Sequence, residues 1–259
     1  MAQVQERGMN DRIKKLRKLS VETQPHIYME RAVLETEAYK MYEGKVSIPE
    51  LRALVLKHVF SNKKLYIGEG ELIVGEKGDH PQSAPTFPEL CCHTLEDMHN
   101  MNDRKVVNFS VTENDLKVQE EVIIPYWQGR SMREKILDSM TDEWKEAYAA
   151  GIFTEFMEQR GPGHTVGSVK IFEKGYLDYK QDIQEALANL DFMNDPEAID
   201  KRNQLNAMSI CCDAIIILGE RYAKLAREMA ETCADEQRKK ELLQIAANCD
   251  VVPAHKPQT

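Results

Sequence analysis

The sequence predicts a mainly α-helical protein with a few short strands. Apolar residues recur at helical spacing in most stretches of the chain, Asp or Thr often stands just ahead of those stretches, and the best period-two pattern is confined to one short segment. With 259 residues, 42% of them apolar, the chain can bury a sizeable core as one large domain or two smaller ones. No flexible linker, internal repeat or low-complexity tract divides it.

The first helical pattern, Asp11 to Leu19, sets Ile13, Leu16 and Leu19 in one apolar stripe among Arg12, Lys14, Lys15, Arg17 and Lys18. It reads as a solvated amphipathic helix. A second helix is expected from Ile27 to Glu43, with Ala32, Leu34, Ala38 and Met41 for packing and Gly44 as its stop. Pro49 sits in the first turn of a third, which runs to about Phe60. Between Leu65 and Gly75 the period changes, and Glu71 to Val74 forms the best strand candidate, bounded by glycines. Gly78 to Pro88 has three prolines and little periodicity, which predicts an ordered loop that crosses the surface or enters a site.

Helices are expected at Thr112 to Trp127, Ser131 to Met140, Thr141 to Phe156, Leu177 to Leu190 and Glu236 to Cys249. The longest candidate, Pro196 to Thr232, contains Ala214-Ile-Ile-Ile-Leu218 without a charge, so its middle turns require burial all round.

With 34 Lys and Arg against 43 Asp and Glu, the formal charge is −9, which argues against general nucleic-acid or anionic-membrane binding. No uncharged apolar run reaches 18 residues and the first 20 residues are charged, so a cytoplasmic location is expected. The six cysteines, Cys91, Cys92, Cys211, Cys212, Cys233 and Cys249, include two adjacent pairs and no CxxC, and reduced thiols are the default.

Cys91, Cys92, His93 and His99 invite a metal reading, but adjacent side chains on a helix diverge by about 100° and His93 to His99 is neither i+3 nor i+4. Packing or loop anchoring is expected there, and no metal site is assigned. Cys211 and Cys212 lie in the most apolar helical pattern, where cysteine acts as a small hydrophobe. The GEG at Gly68 to Gly70 is too short for a phosphate loop.

From Phe153 onward a helical pattern breaks at Gly161-Pro162-Gly163 and delivers His164. A histidine fixed by such a turn can be aimed into a cavity, to hydrogen-bond a substrate hydroxyl and help protonate it as it leaves. On the residues alone, a lone histidine is more often a structural hydrogen-bonder. Phe156, two turns earlier, reads as core, and Glu155 and Glu158 read as polar-face residues or partners of Arg160.

Glu30-Arg-Ala-Val-Leu-Glu-Thr-Glu-Ala-Tyr39, Glu71-Leu-Ile-Val-Gly75 and Phe87-Pro-Glu89 together resemble the N-terminal region of glycyl radical enzymes of the pyruvate formate-lyase superfamily. GEKGD at Gly75 to Asp79, PELCCHT at Pro88 to Thr94, FTEFMEQRGPGHTV at Phe153 to Val166 and the final CDVVPAHKPQT look most like the hydroxyproline dehydratase branch. The resemblance runs from about Arg12 to Thr259. It implies that residues 1–259 are the N-terminal part of a pyruvate formate-lyase-type domain, an incomplete portion of a ten-stranded α/β barrel with no internal boundary.

The same resemblance implies a lyase in which an S-adenosylmethionine and iron–sulfur activating enzyme installs a glycyl radical, which oxidises a cysteine to a thiyl that abstracts a substrate hydrogen. Carried over by position, His164 matches a substrate-site histidine that contacts the leaving hydroxyl, and Phe156 an aromatic residue lining the same pocket. No segment matches the thiyl loop or the radical-bearing glycine loop, both of which the family places far beyond Thr259. The chain is therefore expected to bind no cofactor itself, to be a truncated portion inactive alone, and to expose apolar faces that favour association. In complete form it is expected to take a small-molecule substrate and an activating enzyme, and to form a homodimer. The alternatives are a stand-alone helical interaction protein or split-enzyme partner, and a relative acting on glycerol, choline or another small substrate.

Overall fold

A computed structural model describes residues 10–153 and 169–258. The first helix, α1 (Asp11–Glu22), starts at Asn10, whose side chain accepts the Ile13 N–H at 2.9 Å. An ion pair between Arg12 and Glu241 ties it to the last helix of the chain.

The second helix starts later than the pattern predicts. Residues His26–Tyr28 form a strand, β1, and α2 covers Glu30–Tyr42. The reason lies in the backbone partners: Ile27 N–H donates to Ser110 O at 2.9 Å, and Ser110 N–H donates to Pro25 O at 2.7 Å. Those groups are satisfied sideways, so Ile27 does not join the helix. The proline-rich loop is ordered as expected and contributes β2 (Ser83–Pro85), which runs parallel to β1 with His26 opposite Ser83 and Tyr28 opposite Pro85.

The third helix, α3 (Ile48–Asn62), has Pro49 in its first turn and a reciprocal cap between Ser47 and Glu50. The strand expected at Glu71 to Val74 does not form. Gly70 takes a positive φ of 80°, the Glu71 carboxylate accepts the Gly68 N–H at 2.8 Å, and the Gly68 and Glu71 carbonyls accept from Arg238 at 2.9 and 2.6 Å. With those groups engaged by side chains, no strand ladder remains to be made.

A short helix that the pattern does not announce, α4 (Leu95–Asp103), follows a Thr94–Asp97 cap. The helix expected from Thr112 to Trp127 is broken into α5 (Glu113–Val118), a π-helical turn at Gln119–Ile123 and α6 (Ile124–Trp127). Pro125 has no N–H to donate, and the widened turn absorbs the missing bond. Next come α7 (Met132–Ser139) and α8 (Asp142–Ala149), the latter closed by Gly151 at φ 73°. The chain finishes with α9 (Lys170–Glu173), α10 (Tyr176–Ala188), α11 (Ala198–Thr232) and α12 (Glu236–Val251).

The 35-residue α11 is the spine, and α3, α10 and α12 pack along it. Its buried Gly219, Ala223, Ala226 and Ala230 allow close approach, and Tyr222, Ala226 and Ala230 join Ile67, Leu242, Ile245 and Ala246 in one core. Two polar devices fix the angles of the bundle. Arg221 donates to the Phe60 and Lys63 carbonyls at 2.6 and 2.7 Å, closing the end of α3, and Asp213 pairs with Lys57 of α3 and Lys180 of α10.

A second core joins β1 and α2 to α4 and α6 through Ile27, Met29, Ala32, Met98, Ile123 and Trp127. There the Trp127 indole N–H donates to Thr36 Oγ1 at 2.8 Å, and that hydroxyl donates to Ala32 O at 2.7 Å. Among the described residues, no helix is long and apolar enough to cross a membrane.

Candidate functional site

Four helices, α2, α3, α10 and α11, enclose a cleft of about 1500 Å³ together with the segment leading through β2 to Glu89 and the chain's returning tail. The tail is held by the start of α10: Tyr176 and Leu177 N–H groups donate to the Pro253 and Ala254 carbonyls, each at 3.0 Å. Gly175 permits this approach, since a Cβ there would lie 2.4 Å from Ala254 O. Leu56, Phe60, Met208, Ile215 and Leu218 give the walls an apolar character.

Charge in the cleft gathers on α2 and the segment facing it. The Arg31 guanidinium grips Glu89 with both nitrogens, at 2.7 and 3.2 Å, and donates to Thr86 O at 3.1 Å. It also stands 3.9 Å over the Phe87 ring, a stacked cation–π contact. Its other partner, Glu35, lies one turn along the helix and is 2% exposed. Glu35 Oε2 is 2.5 Å from Arg31 Nη1 but makes no aligned hydrogen bond with it.

Two carboxyl groups thus share one guanidinium, with Glu35 buried and Arg31 and Glu89 partly exposed. Burial pushes the Glu35 carboxyl up to about 8, with Glu89 adding to the rise and Arg31 and Arg52 opposing it. The shift favours the protonated form of Glu35, beside a fixed Arg–Glu pair. Such a group can donate a hydrogen bond or release a proton when a cation approaches.

The cysteines behave as small hydrophobes, as the pattern suggests. Cys212 is buried, Cys211 half-buried, both line the cleft, and burial raises both thiols above their ordinary value. Around α4, Cys91 Sγ lies 4.0 Å from His93 Nδ1, while burial lifts the Cys92 thiol to about 11 and His99 faces solvent. Cys91, Cys92, His93 and His99 do not gather as a ligand set. Among the described residues the grouping with metal-ligand proximity is instead His26, Asp79 and His80, at the edge where β2 meets β1. His164 and Phe156 lie outside the described residues, as do Glu155, Glu158 and Arg160.

The pyruvate formate lyase-like family model matches residues 8–259. The chain belongs to that family. Trans-4-hydroxy-L-proline dehydratase of Clostridioides difficile is 58% identical over 253 residues, which cover 98% of this chain and 32% of that protein. The crystal structure of hydroxyproline dehydratase from the same organism, with trans-4-hydroxy-L-proline bound, superposes with a TM-score of 0.92 over 98% of this chain and 32% of its own. The glycerol-bound form of the B12-independent glycerol dehydratase from Clostridium butyricum superposes with a TM-score of 0.88 at 31% identity, covering 98% of this chain and 33% of that one.

This pyruvate formate lyase-like chain therefore spans about a third of the length of these relatives and corresponds to their N-terminal part. Two of the segments that carried the resemblance are bolted together by the geometry above, since Arg31 and Glu35 belong to one and Phe87 and Glu89 to the other. The third, Glu71 to Gly75, is the one whose carbonyl Arg238 holds.

Proposed function

We propose that the chain forms the N-terminal part of a glycyl radical dehydratase, a carbon–oxygen lyase that converts trans-4-hydroxy-L-proline to pyrroline-5-carboxylate and water. The observation that carries this reading is the gradient of similarity: 58% identity to a hydroxyproline dehydratase against 31% to a glycerol dehydratase, over the same share of the chain. A substrate class shared with the first accounts for that difference better than a shared family alone.

In this reading the glycyl radical and its thiyl relay, installed by an activating enzyme, supply hydrogen-atom abstraction from segments that the chain does not match. The residues of this chain bind and orient. His164 donates a hydrogen bond to the departing hydroxyl, which lowers the cost of breaking the carbon–oxygen bond as the oxygen takes up a proton. Phe156 lines the pocket against the ring of the substrate and keeps water from it. The cleft between α2, α3, α10 and α11 is larger than a proline-sized ligand requires, and its apolar walls supply a seat for further polypeptide. That polypeptide would be the remaining two-thirds of a relative's length, either joined to this chain in a complete, homodimeric enzyme or supplied as a separate subunit of a split one.

The test is to fuse residues 1–259 to the C-terminal two-thirds of the C. difficile dehydratase, activate the hybrid anaerobically, and follow hydroxyproline loss and pyrroline-5-carboxylate formation. Hydroxyproline turnover without glycerol turnover is expected. Glycerol turnover without hydroxyproline turnover overturns the substrate assignment. In the same hybrid, His164→Ala should lower kcat by roughly 10²- to 10⁴-fold, the range of a general acid, and an unchanged kcat removes His164 from the role.

A further inference from the structure

We infer that His26, Asp79 and His80 form a binding site for a divalent first-row transition metal ion of the zinc class, one that clasps the loop before β2 to β1. The inference is independent of the dehydratase reading. It rests on two observations, the convergence of donors and an unmet acceptor among them.

The donors come from two places in the chain, more than fifty residues apart. Parallel pairing sets His26 opposite Ser83, and the turn from Gly78 folds back over it. The turn closes tightly because Gly78 has no side chain: a Cβ there would lie 2.4 Å from Ser83 Cβ and 2.9 Å from Tyr28 Cδ1. One ligand atom from each of His26, Asp79 and His80 then falls within 4.8 Å of the others. Two imidazoles and one carboxylate suit zinc, nickel, copper or iron, and are a poor match for magnesium or calcium, which favour all-oxygen sites.

The unmet acceptor follows from the hydrogen bonds. The Ser83 hydroxyl donates its proton to His80 O at 2.7 Å, so toward His26 Nε2, 3.1 Å away, it can only accept. In the tautomer that this arrangement favours, Nε2 carries the imidazole hydrogen and Nδ1 presents a bare lone pair. That Nδ1 is buried and has no hydrogen-bond partner. Buried acceptors are nearly always satisfied, and an imidazole lone pair left bare beside a second imidazole and a carboxylate is the form that a metal ion takes up.

The rings set a condition on binding. His26 and His80 stack with centroids 3.7 Å apart and planes 3° from parallel, so their lone pairs lie in parallel planes and do not meet at one point. His26 is fixed by β1 and Ser83. His80 is the movable ligand: its side chain is 47% exposed and it leans on Asp79, 2.6 Å from Nδ1 to Oδ1. Metal binding accordingly unstacks the pair, swings His80 to the edge of His26 and leaves the fourth position to solvent.

The experiment uses the 259-residue chain, freed of metal by chelation and kept reduced. Zn²⁺ is titrated calorimetrically with Mg²⁺ as the control, Co²⁺ is followed by absorbance, and the histidine ring protons are followed by NMR. One equivalent of Zn²⁺ should bind, with His80→Ala and Asp79→Asn each weakening it at least tenfold and His58→Ala leaving it unchanged. The His26 and His80 ring resonances should move as stacking is lost, and the Co²⁺ spectrum should lack the near-ultraviolet thiolate band that cysteine ligation produces. The inference fails if Zn²⁺ binds no more tightly than Mg²⁺, if His80→Ala leaves its affinity intact, or if the thiolate band marks the cysteines as the ligands.

Discussion

Replacing Glu35 by Gln keeps the shape of the buried side chain and its acceptor oxygen toward Arg31 while removing the ionisable group. In the folded chain, burial raises the Glu35 carboxyl from 4.5 to about 8, and in the unfolded chain it returns to the ordinary value. The folded state therefore holds one more proton than the unfolded state between those limits, so this group's stabilising contribution is complete below about pH 4.5 and is lost as pH rises toward 8. At about 1.4 kcal/mol per pKa unit, the loss across the window reaches about 5 kcal/mol at most.

Glu35→Gln does not titrate. Urea unfolding at pH 5, 6, 7 and 8 should show the native chain losing stability relative to the variant at up to about 1.4 kcal/mol per pH unit. The variant should gain most at pH 8, where ionisation of Glu35 in the native chain sets a second carboxylate beside Glu89, with Arg31 and Arg52 the cations opposing it. Parallel stability curves for the two proteins would refute the reasoning, because they would mean that Glu35 is ionised, or protonated, to the same extent folded and unfolded.

Two further outcomes concern the bundle. Leu242→Ala, at a side chain 2% exposed between α12 and α11, should cost about 2–5 kcal/mol in urea unfolding, with the spread set by how far the core collapses into the space. Arg221→Met removes two hydrogen bonds from a charged donor to the carbonyls that end α3, and should cost about 2–4 kcal/mol. Hydrogen exchange should then quicken around the end of α3 more than in α12, whereas uniform quickening would count against a local closing role for Arg221.

Much of the helical frame was legible because its signals are local. Pro49 places the first turn of α3, and the pattern from Pro196 to Thr232 gives α11 within two residues of its ends. What failed depends on distant partners. Glu71 to Val74 has strand composition, yet Arg238, far along the chain, takes its carbonyl. His26 to Tyr28 sits beside a helical pattern, yet Ser83 and Ser110 claim it as strand.

Sites show the same division. Arg31 and Glu35 are an ordinary i, i+4 pair on paper, and only the tertiary burial of Glu35, with Glu89 brought to the same guanidinium, raises its carboxyl. The Gly161-Pro162-Gly163 break and His164 lie outside the described residues. The cluster of His26, Asp79 and His80 left no sequence signal, because adjacent residues and a distant histidine match no ligand spacing.

The place of α11 as spine also sets a schedule for the chain as it is made. Its packing partner α3 ends at Asn62, whereas the α11 residues bonded to α3 run from Asn206 to Arg221, so roughly 160 residues must be added before α3 meets the whole of its seat. At about 5–20 residues per second, synthesis leaves the part of α3 that α2 does not cover without its α11 seat for roughly 8–32 s. The nascent N-terminal elements must wait through that interval, shielded by the ribosome surface or a holding chaperone, and folding of the bundle is timed by translation rather than by the speed of helix formation.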